Sequence, residues 1–102
     1  MTRDEIIAKL TEAAPLLRAE GVVRLAIFGS RARGDAREDS DLDVLIEVDP
    51  AGGYEGLRFV GVIADAERTV SGATGIPTQA TVRAWLEPRF VERIADEVIE
   101  IF

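Results

Sequence analysis

Two apolar runs, separated by a stretch too charged to bury, set the terms for what this sequence can fold into. The first, Val-Val-Arg-Leu-Ala-Ile-Phe at 22–28, is apolar and partly β-branched apart from Arg24, which suits a strand buried on both faces or nearly so. Gly29-Ser30 ends it. Residues 31–40 are highly charged; Gly34 and Asp35 predict a turn there, with a short helical turn around Ala36 to Asp39. From Asp41 to Val48 the pattern alternates. Leu42, Val44, Ile46 and Val48 point one way, and Asp41, Asp43, Leu45 and Glu47 the other. A Gly-Ser turn leaving one strand and an Asp-x-Asp entering the next can share one edge of a sheet, where phosphate and a divalent metal can be held together.

The rest of the chain supplies cover for such a sheet. Thr2 and Glu5 have the spacing of a capping box, and Ile6, Ile7, Leu10, Ala13, Ala14 and Leu17 follow at helical intervals, predicting a helix over about 3–20 that ends at Gly21. Pro15 lies inside this pattern and predicts a kink or break, because it lacks an amide donor and crowds the preceding turn. Leu57, Phe59, Val60, Ile63, Ala64, Ala66 and Val70 predict an amphipathic helix over about 55–71, its end bracketed by Gly72 and Gly75. A third strand over 76–82 begins beside Pro77, which argues for a strand start or an edge. Phe90, Val91, Ile94, Ala95 and Val98 predict a last helix, and the apolar end, Ile99, Ile101 and Phe102, a short strand. That end is either tucked against the core or a surface for a homodimer or another partner. Helices over a small mixed sheet, packed in two layers, make this an α+β fold; at 102 residues the expectation is one domain, 1–102.

Charge and composition narrow the chemistry. With 19 acidic and 12 basic residues the net charge is -7, which disfavours general binding to a nucleic-acid backbone. A third of the basic residues, Arg24, Arg31, Arg33 and Arg37, nonetheless lie in or beside the stretch from Leu25 to Val48, as a local field for a phosphate or as a solvated loop. There is no cysteine and no histidine, so chemistry must rest on carboxylates, hydroxyls, arginines and a borrowed metal. No run approaches a membrane span, and Met1 is followed by Arg3, Asp4 and Glu5 rather than the apolar core of a signal peptide; the expected location is the cytoplasm.

On one strand face, Asp41 and Asp43 have Cα atoms roughly 6.5–7 Å apart, within reach of one ion or a pair of ions. Magnesium suits them, since it takes hard oxygen ligands and bridges carboxylates to substrate phosphates. Glycine lets a backbone approach closely, and the serine amide and hydroxyl can donate to a phosphate oxygen. In isolation Asp-x-Asp is equally a polar strand start, and Gly-Ser a plain turn. Their arrangement gives them weight: Gly-Ser-Arg-Ala-Arg-Gly at 29–34 followed by Asp-Ser-Asp-Leu-Asp at 39–43.

In these motifs, in length and in element order, the chain resembles the minimal nucleotidyltransferases of the DNA polymerase beta-like superfamily. The resemblance implies that Gly29 and Ser30 hold a nucleoside triphosphate, with Arg31 or Arg33 neutralising phosphate charge, and that Asp41 and Asp43 bind magnesium in a two-ion site. It implies transfer of a nucleoside monophosphate, from ATP or another triphosphate, to a hydroxyl. It also implies a partner, since members of this branch often serve as antitoxins of a helical HEPN toxin, some by adenylylating a toxin tyrosine.

The pattern departs from the family at one position. A third carboxylate, which helps hold the metal and accepts the proton of the attacking hydroxyl, belongs on the strand after the long helix. There the chain reads Ile-Pro-Thr-Gln-Ala-Thr-Val, and alignment of Leu86, Pro88 and Arg89 with the family places Gln79 at that position. Glutamine is neutral and no base. Glu47, on the face of Asp41 and Asp43, is a candidate substitute or a charged strand end. Three readings follow: an active nucleotidyltransferase, an impaired member that binds nucleotide or covers a toxin, and an unrelated acidic interaction domain.

Overall fold

The computed structural model describes residues 1–102. The chain folds as α1 (Arg3–Ala19), β1 (Val22–Phe28), α2 (Ser30–Arg33), β2 (Leu42–Val48), α3 (Leu57–Thr74), β3 (Thr78–Val82), a 3-10 turn (Arg83–Trp85), α4 (Pro88–Ile94) and β4 (Ile99–Glu100). The strands form one mixed sheet in the order β3-β2-β1-β4. β1 is antiparallel to both β2 and β4, and β2 runs parallel to β3. This is the α+β architecture that the strand and helix patterns predict.

One face of the sheet buries the apolar set of β2. Leu42, Val44 and Ile46 pack with Leu25 and Ile27 of β1 against Ile6, Leu10 and Leu17 of α1 and Val62, Ala66 and Val70 of α3. Sheet and helix pair are the two expected layers, and α4 adds cover over part of the opposite face. There Ala26, Phe28 and Leu45 meet Ile94, with Phe90 edge-on to Phe28 at a centroid distance of 6.0 Å. β1 is buried at both faces from Leu25 to Phe28, whereas a register shift between Val22 and Arg24 leaves Val23 and Arg24 exposed.

The capping box of α1 is formed, with the Thr2 hydroxyl accepting from the Glu5 amide and the Glu5 carboxylate from the Thr2 amide. Pro15 does not break this helix, which runs on to Ala19. The proline is exposed, while Leu10, Ala14 and Leu17 on the opposite side are locked into the core, so packing outweighs the missing hydrogen bond. α3 likewise runs through Gly72 and stops at Gly75, whose left-handed backbone (φ 72°) caps it. β3 starts directly after Pro77 and forms a sheet edge, as the proline predicts.

Between β1 and β2 the predicted helical turn is displaced. It forms at Ser30–Arg33 and closes at Gly34 (φ 85°), whereas Arg37–Ser40 makes only a tight turn. The chain end is tucked in: Ile101 donates its amide to the Leu25 carbonyl, and Ile99, Ile101 and Phe102 pack on the main core. No helix is long and apolar enough to cross a membrane.

Pro15→Ala should restore the missing helical hydrogen bond. Urea unfolding should show a gain of about 2 kcal/mol, from roughly 3 for proline in a helix interior less up to about 1 for the freer unfolded chain. No gain would mean that the helix bends enough at Pro15 to have removed the penalty.

Candidate active site at the edge of the sheet

Antiparallel pairing sets Phe28 opposite Asp43, so the turn that follows β1 rises directly beside the opening of β2. Gly29 leaves the strand with φ 77°, a backbone conformation that favours glycine. A Cβ there would collide with the Asp43 carboxylate. Glycine at 29 is therefore required twice, for the turn and for the approach.

Ser30 opens the helical turn α2, whose first amides have no partner within the turn. Its carbonyl accepts from Gly34 and Asp35, fixing the turn. Asp41 stands exposed just ahead of β2, and Asp43 is half-buried on the same face. The parallel register places Gln79 of β3 beside Asp43, and its side-chain amide donates to Asp41 Oδ2 at 3.1 Å. The position read from the sequence as lacking a carboxylate thus adjoins the Asp pair, and an amide fills it.

The two arginines part company. Arg31 is 9% exposed, and its guanidinium donates to the backbone carbonyls of Glu38 and Ser40, at 3.2 and 2.8 Å through Nη2. Through Nε and Nη2 it pins the charged loop that delivers Asp41. Arg33 is exposed and pairs with Asp35 and Glu97. Glu47 lies at the other end of β2, paired with Arg24 and Arg83, and so does not replace the third carboxylate.

Glu97 is the member that sequence reasoning missed. One of its carboxylate oxygens accepts from both the Gly29 amide and Arg33 Nη1. Nothing local announces it, because in sequence it is one more acid after the last helix.

The site is electrostatically costly. Burial raises the Asp43 carboxyl above its ordinary range, the charges of Asp41 and Glu97 push it further, and Arg33 opposes them. Uncompensated carboxylates beside a glycine turn form a donor set suited to a hard divalent cation. No three acidic side chains converge tightly enough to hold a metal unaided, so Asp41 and Asp43 fit an ion that also draws ligands from phosphate and water, as magnesium does.

The profile of the nucleotidyltransferase domain family matches residues 7–100. The chain belongs to that family, in its minimal branch. This nucleotidyltransferase is 28% identical over 102 residues to the protein adenylyltransferase MntA of Thermococcus cleftensis, covering 99% of this chain and 97% of that one. A solved structure described as a minimal nucleotidyltransferase shares 31% identity with a TM-score of 0.73, over 97% of this chain and 95% of that one. A toxin-antitoxin structure with AMP-PNP shares the fold at a TM-score of 0.62, with 13% identity over 100% of this chain and 73% of that one.

Because the folded state binds the Asp43 proton more tightly than the unfolded chain does, this group favours folding at low pH, and that contribution is lost as pH rises through its raised pKa. Asp43→Asn should therefore raise the melting temperature of the metal-free protein at neutral pH by about 2–4 °C, the response of a domain this size to roughly 0.5 kcal/mol. The gain should shrink as pH is lowered through the raised pKa of Asp43, where the native carboxyl takes up its own proton. Scanning calorimetry across that range checks it; an equal or lower melting temperature for the variant at neutral pH contradicts it.

Proposed function

We propose that the protein transfers AMP from ATP to a hydroxyl acceptor, a tyrosine of a HEPN-type toxin partner, and so acts in the cytoplasm as the antitoxin of a toxin-antitoxin pair. The observation that carries this reading is the convergence of Gly29-Ser30 and the Asp41/Asp43 pair at one sheet edge. Family membership supports the transferase chemistry, and the similarity to MntA supports AMP and a protein acceptor.

In this reading the open amides and hydroxyl at Ser30, with Gly29 clearing the approach, receive the phosphate tail, and Arg33 lends positive charge. Asp41 and Asp43 hold magnesium, in one or two ions. Bound there, magnesium would neutralise phosphate charge and ease departure of pyrophosphate from the α-phosphorus as the acceptor oxygen bonds to it, the acceptor's proton passing to solvent. Arg31 acts indirectly by fixing the loop that carries Asp41.

Gln79 favours a second reading, an impaired member that binds nucleotide or covers its toxin. An amide at that position neither ligates strongly nor takes the acceptor proton, and it is already bonded to Asp41.

ATP labelled on the α-phosphate separates these readings. Transfer predicts label on the partner, none with γ-labelled ATP, and none with Asp41→Asn. Partner inhibition without label overturns transfer and supports the covering role. Gln79→Asp should raise the transfer rate by about tenfold or more, within the roughly 10²–10⁴-fold that a positioned base contributes. An unchanged or lower rate would show that the position is not where the missing base belongs.

A further inference from the structure

The carboxylate of Glu97 occupies two donors of the turn to which the nucleotide reading brings phosphate: the Gly29 amide, next to the open amides at Ser30, and Arg33. Its Oε2 sits 2.5 Å from the Gly29 amide nitrogen and 3.1 Å from Arg33 Nη1. The side chain is only 18% exposed, and it comes from the far end of the chain, so this is a long-range contact rather than a local turn. An anion accepting from a backbone amide in a glycine turn and from a guanidinium has the chemistry of a phosphate oxygen.

We infer that Glu97 is a built-in competitor for the phosphate subsite, displaced when a triphosphate binds. The inference rests on the nucleotide reading of the site. A docked carboxylate and a phosphate cannot share the Gly29 amide. With Asp41 and Asp43 close by, a second anion retained there would also repel the incoming charge.

The segment that carries Glu97 is built to let go. It is a turn between α4, seven residues long and without a side-chain cap, and β4, which pairs through only two residues. Such short elements open at low cost compared with the core. Glu97 also lines an open hollow of about 440 Å³ together with Arg3, Arg33 and Arg93. A carboxylate leaving Gly29 therefore has Arg3 and Arg93 on that side, with Asp96 the one further acid in the lining. Glu97 thereby sets nucleotide affinity without belonging to the reacting groups, and its displacement would couple occupancy of the site to the position of the chain end.

Titration calorimetry with ATP and magnesium, and separately with pyrophosphate and magnesium, on wild type, Glu97→Gln and Glu97→Ala tests this. Both variants should bind roughly tenfold tighter, the gain expected if Glu97 is undocked about a tenth of the time. Equal or weaker binding by both variants, with wild-type binding intact, overturns the inference and leaves the nucleotide reading standing. Absence of binding in all three proteins overturns both. If the variants do not fold, the amide resonances of the wild type decide. Pyrophosphate that shifts Gly29 together with Glu97 and Val98 supports displacement, whereas a shift at Gly29 with Glu97 and Val98 unmoved overturns it.

Discussion

The pairing of Phe28 with Asp43 across the β1–β2 ladder is the constraint on which the rest depends. It fixes two things at once. Below the pair, Ile27 meets Val44 and Leu25 meets Ile46, and these close the main core against α1 and α3. At the pair, the chain leaves the sheet at Gly29, beside a half-buried carboxylate that no side chain at 29 would tolerate. A slip of one residue would turn Asp43 into the core and Val44 out of it, so the hydrophobic pattern that stabilises the fold also aims the site.

Around that edge the structure accepts unfavourable charge. Asp41, Asp43 and Glu97 crowd one corner of the sheet, with Arg33 the counter-charge that bears on Asp43. Farther along the same face of the sheet the acids are compensated: Glu47 and Glu100 share Arg24 and Arg83. The contrast supports the proposal that a cation completes the Asp corner. Gln79 tempers it, since a neutral amide donating to Asp41 partly solvates that charge, adds none of its own and offers no base.

Much of this was legible in the sequence because it rests on short periodicities. The alternation of Asp41–Val48 put both aspartates on one face, and Pro77 marked β3 as an edge beginning, which brings Gln79 beside Asp43 in the parallel register. The illegible parts depend on distance or on brevity. The four-residue helix at Ser30 is too short to show a period, and Arg31 reads like any loop arginine until its guanidinium is seen buried against Glu38 and Ser40. Glu97 reaches Gly29 only after β4 pairs with β1, a contact between chain regions that no local pattern encodes. At Pro15 the local rule allowed a kink or a break, and tertiary packing carries the helix through without a break.

The functional reading stands or falls on whether the Asp41/Asp43 edge binds nucleotide through magnesium. Its most direct measurement is calorimetric titration of ATP into the protein with and without magnesium, repeated with Asp41→Asn. Binding should require the metal and be lost or strongly weakened in the variant. Binding that is indifferent to both magnesium and Asp41 would contradict it.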